Sequence, residues 1–447
     1  MKLLLATYNF PPENYGGTEV YVRALAGELI RRGHQVQVLA GSNRPAAGEQ
    51  RFEMREDIVD GLAVHRLLLA GARFSKAELY ATRAADLDAF WPGWLAALRP
   101  DVLHLHGHSL AISNSLLAAA RDLGIPILAT VHHLALLCPR SDYITWRGDV
   151  CDGRIELAKC SQCVVATHSG SALAGQAVGA LVPLLARLPA PAGGPRWRTA
   201  LGIPVLLELR FAARREMIAA VRLWHVFSDW SQRALETNGV PAERIVLCRH
   251  PLPGPVARRE RTPRGGPLRL GFFGRFQPAK GLGVLLDAVA LAPRATLRVA
   301  VFGEAQTADE QVLARRLAGA RAHDPRIEMR GQFDYAQLSD LLAELDAVIV
   351  PSLTLETGPL TVLEAFAAGL PVLGSDVSGI NEWVRHGENG LLFRRGDAGQ
   401  LGALLGDLAA HPERLRTLGS FPALQTVAEH AGWVETLYDR AVGSAGR

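Results

Sequence analysis

Ala347-Val-Ile-Val-Pro-Ser-Leu-Thr-Leu-Glu-Thr-Gly-Pro-Leu-Thr-Val-Leu-Glu-Ala-Phe-Ala-Ala-Gly-Leu-Pro-Val-Leu373 is the stretch from which the architecture can be read. The β-branched run Ala347–Val350 predicts a strand that stops at Pro351. Pro359 suits the first position of a helix, because its missing N–H has no intrahelical partner there, and the helix is predicted over Pro359–Ala368. A further short strand follows at Pro371–Leu373. Strand, helix and strand in this order imply neighbouring parallel strands. The same alternation extends upstream, with strands predicted at Leu268–Phe273 and Leu297–Phe302 and helices near Leu282–Ala292, Asp309–Ala320 and Tyr335–Glu344. Residues 268–422 therefore read as a doubly wound domain.

A second series of the same kind opens the chain. Lys2–Thr7 and Gln35–Ala40 read as buried strands, and between them Val22, Leu25, Ala26, Leu29 and Ile30 form one apolar helical stripe ended by Gly33. Further strands are expected at Val102–Leu105, Ile127–Val131, His225–Phe227 and Ile245–Leu247. The expected organisation is an N-terminal domain over 1–255, a linker over 256–267 rich in proline, glycine and arginine, the second domain over 268–422, and a closing helical segment over 423–447. The fold class is α/β, with two Rossmann-like domains expected to face a cleft at the carboxyl ends of their strands, where ligands bind in this architecture.

Composition limits the partners. The 447 residues are 49% hydrophobic and 21% charged, enough apolar material for two cores, so a disordered chain is excluded. The net charge of +4 comes from 48 basic and 44 acidic residues, which gives no footprint for nucleic acid. Met1–Thr7 is too short for the apolar core of a secretory signal, and Leu173–Leu188 is interrupted by Gln176, Pro183 and Arg187, so a cytoplasmic protein is expected.

The helix predicted at Pro359 directs free N–H groups and the positive end of its dipole toward the strand ends, an arrangement that binds phosphate. Glu356 lies just before it and Glu364 about 7–8 Å further along at 1.5 Å per residue. Carboxylates on both sides of an anion site suit a molecule with phosphate in the middle and a sugar at each end, a nucleotide-sugar. Gly271-Phe-Phe-Gly274-Arg275 and Lys280-Gly281 follow the first strand of the second domain, so Arg275 and Lys280 fall at the same edge and can neutralise a diphosphate leaving group. The Gly-x-Gly-x-x-Gly spacing is absent there, and NAD is not predicted.

These residues carry a resemblance. Gly274-Arg275 with Lys280-Gly281, Glu356-x7-Glu364, the Ala-Gly-Leu-Pro-Val that follows and Gly379-x2-Glu382 resemble the family-4 retaining glycosyltransferases of the GT-B fold. Pro11-Pro12, Gly16-Gly17, Arg32-Gly33-His34 and Asp101-Val-Leu-His-Leu-His-Gly107 look like that family's first half, and only 170–220 is unmatched. The resemblance implies transfer of a sugar from a nucleotide-diphosphate-sugar to a hydroxyl of a glycan, lipid-linked or other glycoconjugate acceptor, as in polysaccharide biosynthesis. It implies a front-face displacement with retention and no metal in the chemistry. It places Arg275 and Lys280 on the diphosphate, Glu364 on the ribose and Glu356 on the transferred sugar. Gly274, with backbone N–H groups near Gly358 and Leu360, completes the donor site. Gly16 and Gly17 fall in the loop after the first strand, where Gly17 lets the N-terminal backbone approach the phosphate. Thr130-Val-His132 resembles the family's Thr-x-His, which makes His132 a candidate catalytic group. The family often has aspartate next, where this chain has His133. The closing helix resembles the segment that crosses back onto the N-terminal domain. The alternatives are a nucleotide-sugar epimerase or phosphorylase on the same fold, or a catalytically silent nucleotide-sugar-binding partner.

Other features point elsewhere. Asp86-Leu-Asp88 is read as a surface helix, because residues two apart on a helix do not face one another. His104, His106 and His108 are read as one half-buried strand histidine and two lining the cleft. Cys138, Cys151, Cys160 and Cys163 have a spacing, C-x12-C-x8-C-x2-C, that fits one structural zinc or an iron–sulfur cluster, and fits free thiols equally. Leu173–Leu188 and Phe211–Trp224, with their arginines, fit either peripheral contact with a membrane or helices that close the first sheet with solvated arginines; the second reading is preferred.

Overall fold

Leu3, Leu4, Leu5 and Ala6 are all buried, so the first strand, β1 (Lys2–Thr7), lies inside a sheet covered on both faces. The computed structural model describes residues 1–132, 135, 137–191, 196–258 and 265–443. By internal contacts the chain divides into two units, Met1–Arg249 with Thr426–Arg447, and His250–Gln425.

The sheet of the first unit contains β2 (Gln35–Gly41), β3 (Phe52–Val59), β4 (Leu62–Leu69), β5 (Val102–Leu105), β6 (Ile127–Thr130), β7 (Leu223–Val226) and β8 (Ile245–Leu247) besides β1. Their order is β3-β4-β2-β1-β5-β6-β7-β8, parallel throughout except for the β3–β4 hairpin. That hairpin turns through Asp60 and Gly61, both at positive φ. Helices Leu157–Ser169, Ala172–Ala180, Val182–Leu185 and Arg196–Ala220 are inserted between β6 and β7 and share a small core of Val164, Val178, Leu185, Leu207 and Phe211. They occupy most of the span for which the sequence offered no match.

The last helix, Val427–Gly443, belongs to the first unit. Ala431, Val434, Leu437 and Tyr438 enter the core that contains Val22 and Leu25, so the chain crosses back as expected. Burying an aliphatic side chain of this size contributes roughly 1.5–3 kcal/mol. Polar contacts fix the register: Glu435 accepts from Arg32 Nε at 2.9 Å and lies 2.7 Å from His34 Nε2, and Tyr21 Oη lies 2.8 Å from His430 Nε2.

The second unit has one parallel sheet, made of β9 (Leu268–Phe273), β10 (Leu297–Phe302), β11 (Ile327–Gly331), β12 (Ala347–Val350), β13 (Val372–Ser375) and β14 (Gly390–Phe393), in the order β11-β10-β9-β12-β13-β14. The order reverses direction between β9 and β12, which leaves a crevice beyond their carboxyl ends. Residues 250–258 group with this unit. Pro359 is the N-cap of helix Leu360–Ala367, one position earlier than expected, and its carbonyl accepts from Val362 N at 2.9 Å.

Candidate active site

The crevice of the second unit is built by two chain segments pressed together. After β9 the chain passes Gly274 and makes a tight turn over Pro278–Lys280. Gly281 leaves that turn at φ +75°, where a Cβ would run into the Pro351 carbonyl, so glycine is required both by conformation and by space. Leu353 N donates to Ala279 O at 2.7 Å, which binds the turn to the loop after β12. On the other side of that loop Glu356 N donates to Ser378 O at 3.0 Å, and Gly379, at φ +91°, leaves room for the Glu356 carbonyl. Backbone contacts therefore hold Lys280 and Glu356 in place before any ligand arrives.

Lys280 Nζ donates to both Glu356 carboxylate oxygens, at 2.8 and 3.1 Å, and Ser352 Oγ donates to one of them at 2.8 Å. Arg275 Nη2 donates to Glu310 Oε1 at 2.7 Å. Glu310 is buried and also accepts from Gln306 N at 2.7 Å. The Nε of Arg275 is buried without a hydrogen-bond partner among the described residues. The two cations expected at this edge are present, each matched by a carboxylate. Of those carboxylates Glu310 was not anticipated, although Thr307-Ala-Asp-Glu310 has capping spacing and Thr307 accepts from Glu310 N. Ser352 left no recognisable signal.

Glu364 lies in the helix Leu360–Ala367 and is buried, and burial raises its carboxyl pKa to about 7. Tyr335 beside it counteracts part of that rise, and burial together with the Glu364 charge raises the Tyr335 phenol. The N–H groups of Leu360 and Thr361, ahead of the Val362 N–H that Pro359 accepts from, have no intrahelical acceptors. Gly358, just before it, packs against the ring of His250 so closely that a Cβ would press on it.

In the first unit, Gly16 is the N-cap of helix Gly17–Arg31 and its N–H donates to Glu19 Oε2 at 3.0 Å; Gly17 is exposed in the first turn. His132 follows β6 and is half-buried. Its Nε2 lies 3.1 Å from His106 Nδ1, and its ring packs against Tyr21 and Phe227 at centroid distances of 4.9 and 5.1 Å. Together with Tyr8, His106 and Thr130 it lines a cavity of about 20 Å³ at the strand ends, room for one water. His133 lies outside the described residues.

His104 differs from the expectation in being fully rather than half-buried, while His106 and His108 line the cavity at the strand ends. His104 is fully buried, with Nδ1 2.8 Å from Tyr438 Oη and Nε2 2.7 Å from Thr130 Oγ1, and His106 is buried beside it. Burial lowers the pKa of His104 to about 3 and lowers that of His106 well below the ordinary histidine value; for His108 burial brings it to about 4, although Asn114 opposes the shift. His104 joins Thr130 of the sheet to Tyr438 of the last helix, whereas His106 bonds to His132 and His108 to Asn114. Asp86 and Asp88 pair with Arg51 and Arg83 on helix Ala85–Leu98, as a surface helix should.

Cys138, Cys151 and Cys160 lie within electrostatic reach of one another: burial raises the Cys160 thiol to about 11, with smaller raising contributions from Cys138 and Cys151. The four cysteines are free thiols, and among the described residues no group of three or more His, Cys, Asp or Glu side chains is arranged to hold a metal ion. The thiols have other partners: Arg140 Nη1 donates to Cys163 Sγ at 3.7 Å, and Cys151 Sγ donates to Asp152 at 3.6 Å.

Two largely parallel α/β sheets with polar side chains collected beyond their strand ends are the frame of a GT-B fold, and the family models give the class, the glycosyltransferases. The second unit matches the model described as Glycosyl transferases group 1 over residues 267–411, and the first matches Glycosyltransferase Family 4 over residues 15–252. The chain belongs to the family 4 glycosyltransferases. It is 30% identical to the amylovoran biosynthesis glycosyltransferase AmsK of Erwinia amylovora over 44% of this chain and 48% of AmsK, so that match spans about half of the relative's length. It is 26% identical to the glycogen synthase of Mycobacterium tuberculosis over 93% of this chain and 89% of the synthase. The crystal structure of HepE of Anabaena in complex with UDP is similar in fold, with a TM-score of 0.60 and 16% identity over 100% of this chain and 97% of HepE.

Proposed function

We propose that the protein is a retaining glycosyltransferase that takes a sugar from a nucleotide-diphosphate-sugar and joins it to a hydroxyl of a glycan or lipid-linked acceptor. The carrying observation is the Lys280–Glu356–Ser352 cluster, fixed by backbone contacts beside the Leu360 and Thr361 N–H groups at the start of the helix Leu360–Ala367. Lys280 is 40% exposed, and an ion pair of that exposure is worth at most about 1 kcal/mol. A charge-assisted bond to a phosphate is of comparable or greater strength, so an entering diphosphate displaces Glu356 from the ammonium at little cost. The released carboxylate is then free to accept from hydroxyls of the transferred sugar. Glu364 accepts from the ribose hydroxyls, and the N–H groups near Gly358 and Leu360 meet the phosphate.

In the transfer itself the bond from the anomeric carbon to the phosphate oxygen breaks, and a bond to the acceptor oxygen forms on the same face. The acceptor proton passes to the departing phosphate oxygen. The protein's part is to stabilise that leaving charge through Lys280 and Arg275 and to hold the reactants in position. His132 is assigned to the sugar and acceptor side. The UDP in HepE makes uridine-diphosphate sugars the first donors to try.

The test is a thermal-shift screen of nucleotide-sugars, followed by measurement of nucleoside diphosphate released with and without acceptor glycans. Release that requires acceptor, and a product that keeps the donor's anomeric configuration, are expected. An epimerase changes the donor without release, a phosphorylase requires free phosphate, and a silent binding partner shifts the melting temperature with no turnover. An inverted product overturns the retaining assignment.

A further inference from the structure

The helical insertion between β6 and β7 carries a surface that the transfer chemistry does not use. From Ala172 to Ala186 the only polar side chain is Gln176. A helical segment apolar on every side is expected to be covered on every side. Here only one side is: Gly175, Val178, Val182 and Leu185 face inward, and Gly175 and Gly179 pack so closely on the helix Leu157–Ser169 that a Cβ at either would press on it. On the other side Leu173, Leu181, Leu184 and Leu188 recur at helical spacing and stand in solvent, Leu173 at 77% and Leu184 at 65% exposure. The helix Arg196–Ala220, which packs on both short helices, adds Trp197 at 63% exposure and Leu201.

The charge around this face has one sign. No aspartate or glutamate occurs between Glu156 and Glu208, while Arg187, Arg196 and Arg198 do, and Lys159 is already paired with Asp152. Arg187 and Arg198 are exposed and have no acidic partner among the described residues. A protein partner built on ordinary surface chemistry would meet a face with no anion to offer its own cations. A layer of phosphate-bearing head groups over hydrocarbon would match it throughout, with guanidinium groups on phosphates, the Trp197 indole at the boundary and the leucines in the acyl region. Ala172–Ala186 is about 22 Å long at 1.5 Å per residue, short of the roughly 30 Å of a bilayer core, and no helix among the described residues is long and apolar enough to cross a membrane.

We propose that Leu173, Leu184, Leu188, Trp197 and the flanking Arg187 and Arg198 dock the protein flat onto an anionic lipid surface. This replaces the reading of these helices as a solvated cover for the sheet. The contact is independent of the donor assignment, since none of these residues belongs to either candidate site.

The experiment is flotation of the full chain with vesicles of mixed phosphatidylcholine and phosphatidylglycerol, and of phosphatidylcholine alone, at low and high salt. Wild type is expected to partition at least about tenfold more strongly onto the anionic vesicles at low salt and to lose most of that preference at high salt. The double variant Leu173→Glu/Leu184→Glu is expected to partition at least about tenfold more weakly than wild type, with an unchanged melting temperature because both side chains are already exposed. Arg187→Glu/Arg198→Glu, which leaves the apolar side chains intact, should lose only the preference for anionic vesicles. No flotation with either vesicle overturns the proposal, as does flotation that both variants retain. A concentration-dependent dimer in light scattering that the leucine variant dissolves, without vesicle binding, shows that a second copy covers the face and overturns it too.

Discussion

Glu364→Gln separates the cost of this site from its use. Burial holds the Glu364 carboxyl at about 7 against an ordinary value near 4.5. For an acid whose pKa is raised on folding, the folded state has its full advantage below the unfolded value and loses it as pH rises through the folded one. The loss therefore runs from about pH 4.5 to just above 7. A shift of about 2.5 units at 1.36 kcal/mol per unit corresponds to about 3 kcal/mol. Glutamine has the shape of the protonated acid and never ionises, so it escapes this loss. At pH 5 the variant and wild type should melt within about a degree of each other. At pH 8.5 the variant should be the more stable by up to about 3 kcal/mol, some 6–12 °C for a unit of this size. The comparison is the difference between the two proteins at each pH, which cancels every other titrating group. The same substitution removes the carboxylate proposed for the ribose, so the melting-temperature rise that a bound donor gives wild type should largely disappear. A stability difference that stays constant from pH 5 to 8.5 would refute the claim that Glu364 is a buried, strained carboxylate. A donor-induced shift of wild-type size would refute its role on the ribose.

Lys280→Ala should lower turnover about 10²–10³-fold, the usual effect of deleting one group from a preorganised electrostatic site, with little change in melting temperature because its ion pair is half exposed; nucleoside diphosphate release measures it. Gly281→Ala forces a Cβ against the Pro351 carbonyl at positive φ, so it should cost at least about 1 kcal/mol in thermal melts and, by moving the turn that carries Lys280, weaken donor binding in the same samples. Tyr438→Phe removes the hydroxyl that meets buried His104 and should destabilise the first unit by about 1–3 kcal/mol in urea titration. Burial lowers the pKa values of His104 and His108 on folding, so their contribution is complete above about pH 6.5 and is lost as pH falls toward the folded values near 3 and 4. Acid titration of wild type should therefore show stability falling below pH 6.5, opposite in sign to the Glu364 effect.

Much of the second unit was legible because its elements are written in local chemistry. Ala347–Val350 is a buried strand by its side chains alone, Pro359 marks the start of a helix to within one residue, and the spacing from Glu356 to Glu364 puts the first in the loop before that helix and the second within it. The β3–β4 hairpin went unread although Phe52–Val59 alternates and Asp60-Gly61 is a hairpin turn, because an edge strand with exposed polar positions carries little hydrophobic signal. Strands β11 and β14 were missed for a similar reason: Ile327–Gly331 is largely exposed at the sheet edge, and Gly390–Phe393 is only four residues long.

Local pattern along the chain was enough for the two α/β series and for the identity of the residues at the second unit's strand ends, since periodicity and helix termini depend on neighbours within a few residues; the crossing of the last helix back onto the first unit came from the family resemblance. Tertiary structure alone decided which groups meet. It paired Lys280 with Glu356 and Arg275 with Glu310, buried His104 and His106 as neutral rings, and left Leu173 and Leu184 uncovered. Burial and pairing are set by residues tens to hundreds of positions apart, and a pattern of side chains along the chain does not state which of its faces another segment will cover.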